Sequence, residues 1–124
     1  MFVHRVDKVA GVKAAESLVN TAKAGHRLVV CPEGTLLRRP GLLTFRMGAF
    51  MAATEVDATV VPVAIRGTRA ILRGEQWFPR RGNIVVEIGA PLQPEGKGFQ
   101  PARQLRDTAR DWILNHCGET NLLD

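Results

Sequence analysis

Arg27-Leu28-Val29-Val30-Cys31-Pro32-Glu33-Gly34-Thr35 carries a short apolar run straight into an acid and a glycine. Residues 27–31 are apolar and β-branched without alternation, which is the pattern of a buried strand. Pro32 has no N–H to give to a sheet ladder and so ends that strand. Gly34 then lets the backbone bend where a side chain would clash. The reading places Glu33 at the carboxyl end of a strand, the place where open α/β sheets carry their sites. Arg38, Arg39 and Arg46 follow closely and bring cationic donors toward the carboxylate. A carboxylate among arginines at a strand end is a candidate anion-handling site, although a surface turn with an ordinary ion pair has the same sequence.

Working outward, helical and extended patterns alternate. Residues 2–6 read as a short strand. Val9 to Ala24 reads as a helix, with Val12, Ala15, Leu18, Val19 and Ala22 at three- and four-residue steps on one face, and Gly25 as its C-cap. Phe45 to Glu55 follows as a second helix, whose Gly48, Ala49, Ala52 and Ala53 permit close packing. Val60 to Ile65 and Asn83 to Ile88 read as further interior strands, with Pro62 requiring an edge, a bulge or a missing ladder bond. Between them, Arg66 to Arg69 reads as a basic loop, and Trp77-Phe78-Pro79 is expected to pack that excursion onto the core. Glu95 to Pro101 reads as a linker. Ala102 to Asn115 is an amphipathic helix with Leu105, Ala109, Trp112 and Ile113 inward and Arg103, Arg106, Asp107 and Arg110 mostly outward. The residues after Gly118 are expected to fray. This order predicts an α/β fold, a partial layered sheet flanked by helices.

Composition bounds the function. The 124 residues are 45% hydrophobic and 23% charged, as expected for one soluble globular domain. No apolar run approaches the roughly 20 residues that span a bilayer, and no signal-peptide pattern opens the chain. The two cysteines, Cys31 and Cys117, have no metal-type spacing and fit a reducing cytoplasm. The net charge of +5 is carried mainly by arginine, whose fork suits phosphate and carboxylate. Five Phe, two Trp and no Tyr do not interleave with the basic residues, so a base-stacking nucleic-acid surface is disfavoured.

Four stretches together resemble the phospholipid/glycerol acyltransferase family (PlsC-like, lysophosphatidic acid acyltransferase-like): FVHR, CPEGT, LLTFRMGAF and VVPVAIRGT, in the family's order between Phe2 and about Leu92. The resemblance implies an arginine that holds the phosphate of the acyl acceptor, here Arg5. It maps the acceptor-contacting acid onto Glu33, with Gly34 and Thr35 shaping the turn, and adds Arg46 and Pro62 to the substrate-binding set. It also implies transfer of an acyl group from acyl-CoA or acyl-carrier protein to a glycerol-3-phosphate or lysophospholipid hydroxyl. No metal or other cofactor is implied. Leu42, Leu43, Phe45 and Phe50 are candidates for lining the acyl path, with core packing as the alternative. Leu36-Leu37 stands where the family often has Arg-Ser, which leaves Arg38 or Arg39 to supply that cation.

The family's first block, a histidine and an aspartate separated by four residues, supplies the general base and its orienter. Five positions after His4, His26 and His116 stand Val9, Cys31 and Asn121, so the block is not in this sequence. The expectation is an N-terminally truncated domain. Residues 1–94 form its C-terminal part, and residues 95–124 form a linker and a helix packed on the same domain. Such a chain is expected to be inactive alone, either as part of an acyltransferase or as a non-catalytic lipid- or phosphate-binding remnant. Docking on the cytoplasmic side of an anionic membrane and self-association through a bared sheet edge are the expected partnerships, with no nucleic acid.

Overall fold

In the computed structural model, which describes residues 8–35, 39–72 and 77–122, six elements follow one another. They are α1 (Lys8–Lys23), α2 (Gly48–Glu55), β1 (Val63–Arg66), α3 (Thr68–Ile71), β2 (Val85–Ile88) and α4 (Phe99–His116). The anticipated first strand, at residues 2–6, lies outside the described residues.

Helix α1 ends as its sequence requires. Gly25 N–H donates to Ala22 O at 3.0 Å and His26 N–H to Thr21 O at 3.3 Å, the paired bonds that satisfy the last carbonyls when a glycine takes a left-handed conformation. The helix packs against α2. Helix α2 begins three residues later than its pattern suggests, at Gly48, because Phe45 is pulled inward as a core residue ahead of the first helical turn.

The core lies between α2, the segment before it, and α4. Leu42, Phe45, Phe50, Ala53, Ala102, Leu105 and Ala109 are buried together. The Phe45 and Phe50 rings stack with centroids 6.4 Å apart. Alanines at 53, 102 and 109 let the two helices approach closely, and α4 also contacts β1. Gly98 caps α4 and Pro101 falls in its first turn, where a missing N–H costs nothing. Helix α4 thus shares one buried cluster with α2 and the segment before it.

Among the described residues the sheet is smaller and more exposed than the sequence suggests. Strands β1 and β2 form an antiparallel ribbon with Val63 opposite Ile88 and Arg66 opposite Val85. Val63, Ile65, Val86 and Ile88 share one exposed face, whereas Ala64 on the other is buried. The expected interior strands are therefore half-exposed, since α4 covers one side alone. Pro62 sits just before β1 and needs no ladder donor, and its carbonyl accepts the Gly89 N–H at 2.8 Å.

Other expectations are corrected as well. Residues 27–31 join no ladder among the described residues; Val29 is 99% exposed and Cys31 is exposed, not buried. An apolar run becomes an interior strand only when neighbours pair its backbone and cover both faces. The basic loop after β1 instead forms the short helix α3. Trp77 and Phe78 are 92% and 81% exposed and do not pack on the core. Residues 119–122 are not frayed: Leu42 N–H donates to Thr120 O at 2.7 Å and Leu122 N–H to Leu42 O at 3.1 Å.

Candidate functional site

The Cys31–Thr35 turn is held by two main-chain bonds and one to a side chain. Gly34 N–H donates to Cys31 O at 3.2 Å and closes the turn. Arg46 N–H donates to Pro32 O at 2.8 Å, drawing the approach to α2 onto it. Leu43 N–H donates to Glu33 Oε2 at 3.0 Å, which fixes the acid. Gly34 has φ +70°, and a Cβ placed on it would lie 2.6 Å from Arg46 Nε. The arginine side chain therefore lies across the glycine face of the turn, in space that only a glycine leaves open. Glu33 is half-buried, whereas Thr35 and Arg46 are exposed.

Of the anticipated substrate-binding residues, the structure brings together Glu33, Gly34, Thr35 and Arg46. The buried Pro62 is held by different contacts, against Gly89 and, across that glycine, the Trp112 indole. Arg5 and Arg38 lie outside the described residues. Leu42, Phe45 and Phe50 prove to be core residues, so packing rather than an acyl path explains them.

Three residues that hold the site were not singled out by the sequence. Arg110 is 3% exposed, not outward. Its Nε donates to Leu43 O at 2.9 Å, and its Nη2 donates to Leu42 O at 2.8 Å and to Asn121 Oδ1 at 2.9 Å. Its guanidinium carbon lies 5.9 Å from the Phe45 ring centroid. The third residue, Glu119, accepts the Gly41 N–H and the Arg69 Nε–H on separate oxygens, each at 2.6 Å. Helix periodicity held a signal for Arg110. It stands eight residues after Ala102 and three before Ile113, on the flank of the apolar stripe. Nothing in the sequence points to Glu119.

Among the described residues, no group of three or more His, Cys, Asp or Glu is placed to hold a metal ion. No helix there is long and apolar enough to cross a membrane. The turn offers a carboxylate fixed by a main-chain donor, and the Arg46 side chain lies against Gly34 of the same turn.

Residues 1–66, which include Arg5, Glu33, Arg46 and Pro62, match the model of the Acyltransferase family, and the chain belongs to that family. A 1-acyl-sn-glycerol-3-phosphate acyltransferase of Haemophilus influenzae is 32% identical over 88 residues, covering 71% of this chain and 36% of its own. One of Chlamydomonas reinhardtii is 27% identical over 116 residues, covering 93% of this chain and 34% of its own. The crystal structure of the 1-acyl-sn-glycerophosphate acyltransferase PlsC from Thermotoga maritima matches with a TM-score of 0.68 at 23% identity, covering 83% of this chain and 44% of that one. That likeness is one of fold. The chain spans less than half the length of each of these relatives.

Proposed function

We propose that this chain carries the acceptor-holding part of a glycerolipid acyltransferase site, with a phosphorylated glycerol or lysophospholipid seated at the Cys31–Thr35 turn. The observation that carries the reading is the Leu43 N–H bond to Glu33 Oε2. It fixes one carboxylate oxygen and directs the acid to take a hydroxyl of the acceptor. Arg46 and Arg5 hold the phosphate, as forked donors do well. Gly34 and Thr35 shape the turn, and Pro62 sets the start of β1.

In the complete reaction, the acceptor hydroxyl oxygen attacks the carbonyl carbon of an acyl thioester. An ester C–O bond forms, the C–S bond breaks, and the thiol leaves with the proton. The donor is acyl-CoA or acyl-carrier protein. The base for the hydroxyl proton in this family is the histidine of the His-x4-Asp block, which these 124 residues do not contain. The chain by itself therefore binds acceptor without turning it over.

The same reading sets the protein on the cytoplasmic side of an anionic bilayer. Exposed Trp77 and Phe78 beside exposed Arg80 and Arg81 support this, as do the free thiols of Cys31 and Cys117. The exposed apolar face of the β1–β2 ribbon supports self-association of the chain. A monomer at every concentration in sedimentation equilibrium would remove that last element.

Calorimetric titration with a short-chain lysophosphatidate, kept below its micelle concentration, tests the central claim. Binding is expected for the chain, with loss on Glu33→Gln or Arg46→Met, and no thioester-dependent acyl transfer. Turnover by the 124-residue chain would overturn the inactive reading, and unchanged binding by both variants would overturn the acceptor site.

A further inference from the structure

Leu42 O and Leu43 N–H belong to the same peptide group, and the two opposite charges of this region meet at its two ends. Arg110 Nη2 donates to the oxygen at 2.8 Å, while the N–H donates to Glu33 Oε2 at 3.0 Å. A peptide is planar and trans, so its C=O and N–H point in opposite directions. A guanidinium on the oxygen and a carboxylate on the hydrogen both align with its dipole, and bonds chained in this way strengthen one another. The Arg110 Nε bond to Leu43 O, at 2.9 Å, fixes the next carbonyl and stops the peptide from turning about its Cα neighbours. Asn121 Oδ1, at 2.9 Å, accepts a second bond from the same Nη2.

We propose that Arg110 is a positioning residue for Glu33, acting through the Leu42–Leu43 peptide to aim the carboxylate that receives the acceptor hydroxyl. The proposal rests on the acceptor reading of Glu33 given above. It goes beyond that reading by assigning the orientation of the acid to a side chain on α4, 77 residues further along the chain. A lysine could keep the charge but not the fork that spans two carbonyls and an amide oxygen. A merely structural arginine would tie α4 to the loop, and its loss would lower stability without altering Glu33.

The experiment follows the Leu43 amide in 1H–15N spectra of the 124-residue chain and, in parallel, its affinity for short-chain lysophosphatidate. The variants are Glu33→Gln, Arg110→Met, Arg110→Lys, Asn121→Ala and the double variant Glu33→Gln/Arg110→Met. An amide proton bonded to a carboxylate resonates downfield. Arg110→Met is expected to move the Leu43 amide upfield, in the same direction as Glu33→Gln, with the double variant moving it little further. Affinity should fall about tenfold in Arg110→Met, with no added loss in the double variant, as for residues in one network. Arg110→Lys should recover part of the loss.

Asn121→Ala removes one anchor at an exposed position and should give a smaller shift of the same sign, so it and Arg110→Lys carry the test if Arg110→Met does not fold. A Leu43 amide that stays in place while these variants lose stability would overturn the positioning role. An amide that responds in a chain that binds no lysophosphatidate would uphold the positioning of Glu33 and overturn the acceptor reading instead.

Discussion

Replacing Gly34 by alanine separates backbone strain from the placement of a cation. The residue sits at φ +70°, where an L side chain costs about 1–2 kcal/mol. Alanine recovers about 0.4–1 kcal/mol of that by restricting the unfolded chain. The net loss should be about 1 kcal/mol. Gly25→Ala is the matched control, with φ +85° and nothing within 4 Å of an added Cβ. The two variants should thus lose similar stability in urea unfolding. They differ in what the methyl meets. At Gly34 it would lie 2.6 Å from Arg46 Nε and 2.9 Å from Arg46 Cδ. Arg46 is exposed and flexible, so its side chain swings aside at little energetic cost and leaves the turn. A hydrogen bond to a charged group contributes about 1.5–3 kcal/mol, so lysophosphatidate affinity should fall about 10- to 100-fold in Gly34→Ala and stay unchanged in Gly25→Ala. In an Arg46→Met background, Gly34→Ala should cost no further affinity. Equal affinity in the two glycine variants, or a further loss on the Arg46→Met background, would refute the assignment of Arg46 to the phosphate.

Phe45 is 2% exposed and packed against Phe50, so Phe45→Ala should cost about 3–5 kcal/mol; chemical denaturation would show it, while Met51→Ala on the exposed side of α2 should cost far less. Glu119→Ala removes the acceptor of the part-buried Gly41 amide and the Arg69 ion pair. It should lower stability by about 1–3 kcal/mol, with faster hydrogen exchange at Gly41 and Leu42 as the local signature. Vesicles containing anionic lipid should bind the chain and blue-shift its tryptophan emission. Trp77→Ser/Phe78→Ser should abolish the shift, and each of Arg80→Ala and Arg81→Ala should weaken binding about fivefold.

Helices were the most legible part of the fold, because three- and four-residue apolar steps record which face is buried whatever the partner. Helix α4 shows this with Leu105 and Ala109, and α1 with its glycine stop at Gly25. Strands were less legible. Residues 27–31 and 60–65 are both short, valine-rich apolar runs, yet β1 pairs with β2 while 27–31 pairs with nothing among the described residues. A strand is completed by partners distant in sequence, and composition carries no record of them. The acid in the Cys-Pro-Glu-Gly-Thr turn was legible because proline and glycine are local instructions. Its hydrogen-bond donor was not, since the Leu43 amide is a main-chain group that every residue but proline offers.

Helix α4, beyond the residues that match the family, packs into the same core as α2. The family match ends at residue 66, yet the oxygen of the peptide that fixes Glu33 is held by Arg110 and Leu122, and the neighbouring Gly41 amide by Glu119. Among the described residues, every buried side-chain nitrogen and oxygen has a hydrogen-bond partner. A buried guanidinium is tolerable only on such terms, because its charge has left water. Arg110 meets them with two main-chain carbonyls and one amide oxygen, the last supplied by Asn121 in the segment that pairs with Leu42. Burial of Arg110, pairing of the tail and orientation of Glu33 are thus one arrangement. The residues that most resemble the family depend for their geometry on residues that lie outside the match.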